Sequence, residues 1–227
     1  TTYNFFLPQK PNDNQAGDAY SQLARLKYLV ANSPISTVYA TFGGNDIGFA
    51  DIIKDCYLNI RTSCLGRMGS VEIPKIQKDM RNAVATVLAA AKKESGGANV
   101  VLVGYPDIVP APGRPEDCGW LDTTEKRRVA DLEYELDTAL SRAAEAAGVA
   151  YVSIRSALKG HELCTRNSWM VPIVSFHNSP LSPQQGHPNA RGQEALADAV
   201  SLKMESGAGV VPSPPADCQP AGNVAAI

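Results

Sequence analysis

The chain has little of what a charged, metal-dependent or membrane-embedded role demands. Its 21 Lys and Arg nearly balance 23 Asp and Glu, giving a formal net charge of −2, so no basic footprint for nucleic acid exists. No run of about 18 apolar residues occurs, which excludes an α-helical membrane span. There are only three histidines and no Cys-x-x-Cys pair, so the spacings of a zinc site are missing and no cofactor is expected. Residues 1–7 lack a basic start and a small-residue cleavage site, so no signal peptide is expected there and the sequence reads as a mature or processed chain. What remains is 227 residues, 44% of them hydrophobic, the size and composition of one soluble globular domain acting on a small molecule or an interface.

Five cysteines are present. Cys56 and Cys64 bracket a short polar loop, Cys118 and Cys164 each sit in a loop after a predicted strand, and Cys218 lies in a proline-rich tail. Disulfides account for this distribution better than free thiols, and they imply an oxidising compartment and therefore secretion.

Hydrophobic periodicity alternates between strand and helix. Residues 3–7 read as a short strand, and Asp18 as the N-cap of a helix with Leu23, Leu26 and Val30 on one face. Residues 36–40 form a strand ending near Phe42. Pro74 suits the first position of a helix carrying Ile76, Met80, Val84 and Val87, stopped by Ser95-Gly-Gly97. Residues 99–105 are a continuous apolar run, as in a strand buried on both faces. Asp122-Thr-Thr-Glu125 is a capping box opening a helix with Val129, Leu132, Leu136, Leu140 and Ala143 inward and Gly148 at its end. A strand follows over 149–154, then a last helix from about Asn189 to Glu205 with Leu196, Ala199 and Val200 inward. The domain is expected to span 1–206, and 207–227 to form an extended Pro/Gly-rich tail. This is an α/β pattern of parallel strands with right-handed crossovers. Ligands bind such sheets beyond the carboxyl ends of the strands, where Asn45, the Tyr105-Pro-Asp107 turn and the loop bearing His161 fall.

Two segments carry chemistry. Gly43-Gly44-Asn45-Asp46 follows the strand ending at Phe42, and His187-Pro-Asn189 opens the last helix. An asparagine carboxamide can donate a hydrogen bond where a carboxylate cannot, and an imidazole at a helix entrance, its backbone fixed by Pro188, can take a proton. The alternative reading of Asn45 is an Asx turn capping the next helix, a role Asp46 would fill as well. His161 and His177 read as surface or supporting residues. In order and wording these segments, with Ile47-Gly-Phe49, Gln22-Leu-Ala-Arg-Leu26, Gly160-His-Glu-Leu-Cys164 and Trp169, resemble the SGNH (GDSL) family of serine esterases and lipases. The likeness is closest to that family's secreted, disulfide-containing actinobacterial and fungal branch, and it extends from about Gln22 to about Val200.

The resemblance implies a flavodoxin-like three-layer α/β/α fold with a mostly parallel sheet of strand order 2-1-3-4-5, and disulfides Cys56–Cys64 and Cys118–Cys164 with Cys218 left over. It implies Asn45 and Gly44 as oxyanion donors and His187 as general base. Family members with a full triad carry an aspartate where this chain has Gln184, so the acceptor that orients His187 Nδ1–H is expected to be a main-chain carbonyl near Gln184 or Gln185. The family's Gly-Asp-Ser block and first strand have no counterpart. Gly17-Asp-Ala-Tyr-Ser21 mimics it, but no apolar strand leads into it and Ser21 falls within a predicted helix. The nucleophile is therefore expected on a separate amino-terminal chain or segment that also fills the gap beside the strand ending at Phe42. The implied function is secreted ester hydrolysis, on a lipid, aryl or acetylated carbohydrate ester. The alternative is a non-catalytic protein that keeps the fold to bind a ligand.

Overall fold

A computed structural model describes residues 2–6, 21–58, 75–110, 118–173 and 184–207. Cys64, His177, Cys218, Asp18, Pro74 and nearly all of the expected tail lie outside these residues. The elements run α1 (Tyr3–Phe6), α2 (Gln22–Asn32), β1 (Thr37–Ala40), α3 (Phe49–Leu58), a π-helical turn (Ile76–Met80) continuing into α4 (Arg81–Glu94), β2 (Asn99–Val103), α5 (Thr123–Ala147), β3 (Ala150–Val152), a 3-10 turn (Arg155–Leu158) and α6 (Ala190–Glu205).

The described strands make one parallel sheet of order β1-β2-β3, with Val38 beside Val100 and Leu102 beside Tyr151. Four of the five residues of β2 are buried, as its unbroken apolar run requires. Val100 and Leu102 face α4 and α5, packing with Val84, Val87, Leu88, Leu132 and Leu140. Val101 and Val103 face the other way, joining Val152, Ile154 and the inner residues of α6. The result is helix, sheet, helix: the three-layer α/β architecture.

Sequence signals set the element ends. The Asp122 carboxylate accepts from the N–H groups of Thr124 and Glu125 at 2.7 and 2.8 Å while Glu125 reaches back to the Asp122 N–H at 2.9 Å. Gly148 closes α5 in the left-handed conformation, φ 62°. Asn189 caps α6, its side chain accepting from Gly192 N–H at 3.1 Å. The disulfide Cys118–Cys164 is present, closing a loop of 46 residues, a constraint worth about 4 kcal/mol in the chain-entropy model. Cys56 is also disulfide-bonded.

Three expectations are corrected. Residues 3–6 are a single helical turn and not a strand. That turn buries Phe5 edge-on against Phe42 at 5.7 Å, and Thr2 is tied through its N–H and hydroxyl to the Asp46 carboxylate. Ser21 stands outside α2 as its N-cap: its backbone is extended and its hydroxyl accepts from Ala24 N–H at 3.2 Å. On α6, Leu196, Ala199 and Val200 are only partly buried, because the sheet covers one side of their stripe and Leu202 beyond it is 66% exposed. Among the described residues no helix is long and apolar enough to cross a membrane.

Leu140 is fully buried between the sheet and the turn after β1. Leu140→Ala is expected to destabilise the fold by about 3 kcal/mol, within the usual 2–5 for a buried leucine, measured as a lower urea midpoint at unchanged slope.

Candidate active site

A cavity of about 850 Å³ opens at the carboxyl ends of the strands, bounded by Asn45 and Gly44 after β1, Gly104 to Pro106 after β2, and His187 and Pro188 before α6. Three chain segments distant in sequence thus meet at one rim. The first two follow β1 and β2, which end on the same side because the sheet is parallel.

The turn after β1 closes on itself. Asp46 and Ile47 N–H both donate to the Gly43 carbonyl, at 3.0 and 3.2 Å, and Phe49 N–H donates to Gly44 at 3.2 Å. Gly43 sits at φ 107°, and a Cβ there would come within 3.0 Å of Met80 Sδ and 3.1 Å of Leu140 Cδ2. Only glycine lets the turn lie this close to the core. Asn45 is thrown outward and exposed, and its carboxamide has no hydrogen-bond partner among the described residues. The Asx-turn reading of Asn45 is not used; the neighbouring Asp46 spends its carboxylate on Thr2. Gly44 N–H donates to the Tyr105 hydroxyl at 3.2 Å.

His187 is exposed on a short antiparallel ladder. Val171 N–H donates to the His187 carbonyl at 2.8 Å, Gly186 N–H to Val171 at 3.0 Å and Asn189 N–H to Trp169 at 2.9 Å, with Met170 and Pro188 bridged between them. The supporting loop is anchored by Cys118–Cys164 and by His161, which stacks on Trp169 with ring centroids 3.6 Å apart. Gly192 lets α6 dock here, since a Cβ would fall 2.4 Å from the Trp169 carbonyl oxygen. His187 Nδ1 lies 3.3 Å from the Gln185 carbonyl. A carbonyl only accepts, so this bond selects the tautomer with hydrogen on Nδ1 and leaves the Nε2 lone pair to receive a proton. The group beside His187 Nδ1 is thus a main-chain oxygen.

Two serines are excluded from this geometry. Ser21 caps α2 and is not part of the cavity wall. Ser201 borders the cavity, but it sits on α6 about 18 Å along the helix axis from Asn189, and its hydroxyl donates to the Ala197 carbonyl.

Polar groups beneath the rim join the loops after β2 and β3. Arg155 grips Asp107 through two nitrogens at 2.7 and 3.1 Å, while Tyr151 and Ser153 donate to Asp137 at 2.5 and 2.8 Å. Glu133 accepts from Ile108 N–H at 2.9 Å and forms part of the cavity wall. Its burial, only partly offset by that bond, pushes its pKa up to about 8. Sequence reading passed over this residue, although a glutamate within the Val129, Leu132 and Leu136 stripe was a visible signal.

A carboxyl whose folded pKa is raised holds a proton that the unfolded chain has already released. Stability should therefore fall as pH rises from about 4.5 to about 8, then level off. Glu133→Gln keeps the acceptor for Ile108 and removes the titration. Its melting temperature should vary less than the wild type's between about pH 5 and 8; equal slopes would show that Glu133 does not titrate there.

Comparison with known proteins identifies the family. The model of the GDSL-like Lipase/Acylhydrolase family matches residues 10–195. Lipase 1 of Streptomyces coelicolor is 29% identical over 162 residues, 71% of this chain and 58% of that protein. A lipase of Streptomyces rimosus is 30% identical over 165 residues with the same two coverages. The chain thus spans 58% of the length of these curated relatives. Among solved structures, phospholipase A1 from Streptomyces albidoflavus NA297 superposes with a TM-score of 0.63 at 26% identity, covering 78% of this chain and 75% of that one. The extracellular lipase of Streptomyces rimosus, at 24% identity and a TM-score of 0.65 over 80% of this chain and 73% of that one, shares the fold. On the match over residues 10–195, the chain belongs to the GDSL-like lipase/acylhydrolase family.

Proposed function

We propose that the whole protein is a secreted serine ester hydrolase of esterase or lipase type, in which this chain supplies the base His187 and the oxyanion donor Asn45. The observation that carries the reading is one cavity bordered by a carboxamide with no partner among the described residues and by an imidazole whose Nδ1 lies against the Gln185 carbonyl. In the reaction, a serine hydroxyl attacks the ester carbonyl carbon and passes its proton to His187 Nε2. Negative charge grows on the carbonyl oxygen, where Asn45 Nδ2–H donates. Collapse expels the alcohol, which leaves with the proton from His187, and water repeats the sequence on the acyl-serine.

The serine comes from a segment amino-terminal to this chain, on a strand laid along the outer edge of β1. Several observations support this. No strand covers that edge among the described residues, although β1 carries Val38 and a 55% exposed Tyr39. Neither Ser21 nor Ser201 has the geometry of a nucleophile, and the chain spans only 58% of its curated relatives. Apolar walls from Phe49, Ile108, Leu196 and Val200 favour the acyl part of a lipid or aryl ester over an acetylated carbohydrate. The Cys118–Cys164 bond and the likeness to an extracellular lipase support secretion.

A fluorophosphonate reagent labels only a serine activated by a neighbouring base, so intact mass reports which polypeptide carries it. No adduct is expected on residues 1–227 alone, and one equivalent on the amino-terminal segment of the whole protein. A stoichiometric adduct on Ser21 would overturn the divided-site reading; no adduct on the whole protein would favour a non-catalytic binding role. In the active whole protein His187→Ala should abolish turnover, while Gln184→Ala should keep most of it. Comparable losses would make the glutamine side chain the orienting group.

A further inference from the structure

Tyr105 stands where the loop after β2 meets the turn after β1. Its ring closes over Gly44 so tightly that a Cβ on the glycine would lie 2.9 Å from Tyr105 Cζ. The phenol oxygen accepts the Gly44 N–H at 3.2 Å. That bond uses a lone pair. The hydroxyl still has one hydrogen to give, and among the described residues nothing accepts it. Tyr105 borders the cavity together with Gly44 and Asn45. Burial raises its pKa above the ordinary tyrosine value, so the hydrogen stays on the oxygen where a histidine base operates.

This arrangement changes what the Gly44 backbone can do. Its N–H is spent on Tyr105 and cannot also point at a reacting oxygen. A hydroxyl that accepts one hydrogen bond becomes a better donor of the next, so the backbone dipole is passed on through the phenol.

We infer that Tyr105 donates its hydroxyl hydrogen to the carbonyl oxygen of the ester substrate, beside the Asn45 carboxamide, with Gly44 acting through it. The inference rests on the ester-hydrolase reading above. Tyr105 makes and breaks no covalent bond. Its proton remains on Oη while the serine Oγ–carbon bond forms and the bond to the leaving alcohol breaks. What grows is the strength of one hydrogen bond as charge collects on the carbonyl oxygen.

Tyr105→Phe keeps the ring over Gly44 and deletes only the hydroxyl. In the whole natural protein acting on p-nitrophenyl butyrate, kcat is expected to fall about 10- to 100-fold, somewhat less than the usual loss of one oxyanion donor because the freed Gly44 N–H partly substitutes. KM should stay within about twofold. A thionoester places sulfur, a poor acceptor, where the oxyanion forms, so the variant should also show a smaller ester-to-thionoester rate ratio than the wild type; a packing role would leave that ratio unmoved. Should the phenylalanine variant not fold, 3-fluorotyrosine at position 105 retains the shape with a stronger donor and should raise the ratio. A variant kcat within about twofold of wild type, or an unchanged ratio, overturns the role of Tyr105 and leaves the hydrolase reading standing. A natural protein that hydrolyses no ester overturns both.

Discussion

Burial of β2 on both faces is the constraint from which the rest of the structure follows. Val100 and Leu102 look to one side, Val101 and Val103 to the other, and all four are withdrawn from water. A strand of this kind needs helices above and below, and chain returning between parallel strands supplies them. The same parallel return brings every strand to an end on one rim. Chemistry is therefore confined to a place set by the core and not by any of the residues that perform it.

At that rim Asn45 and His187 are held by backbone. The turn after β1 is knotted by hydrogen bonds to Gly43 and Gly44 and sits directly on Met80 and Leu140. The segment bearing His187 is laddered onto residues 169–171, and a missing Cβ at Gly192 allows that contact. Asn45 and His187 are left with little to do but face the cavity. A carbonyl beside Nδ1 favours one tautomer of His187 but brings no full charge to stabilise an imidazolium. The neighbouring acids offer no substitute, since Asp107 is occupied by Arg155 and burial pushes the Glu133 carboxyl up to about 8.

Much of this was legible in the residues. The continuous apolar run of β2, the capping box at Asp122, the stop at Gly148 and the stripe through Leu132, Leu136 and Leu140 each express a local rule that the tertiary structure respects. The positions of Asn45 and His187 at strand end and helix entrance were legible for the same reason. Residues 3–6 misled because Phe5 and Phe6 suit a strand, and only the pocket beside Phe42 and the carboxylate of Asp46 decide otherwise. The hydrogen bond between Gly44 and Tyr105 was hidden because it joins positions 61 residues apart. The pairings of Cys64 and Cys218 fall outside the described residues.

Among the described residues one edge of the sheet is open. Among the described residues strand β1 is paired with β2 alone, and it carries Val38 and Tyr39 and leads into the turn bearing Asn45. Filling that edge with a strand that ends in a serine would complete both the sheet and the reaction. The direct test is a crystal structure of the whole natural protein inactivated by diethyl p-nitrophenyl phosphate. A phosphorylated serine is expected at the end of a strand hydrogen-bonded along residues 37–40, with a phosphoryl oxygen within reach of Asn45 Nδ2. A phosphoryl group on a serine anywhere else, or β1 still at the edge of the sheet, would contradict it.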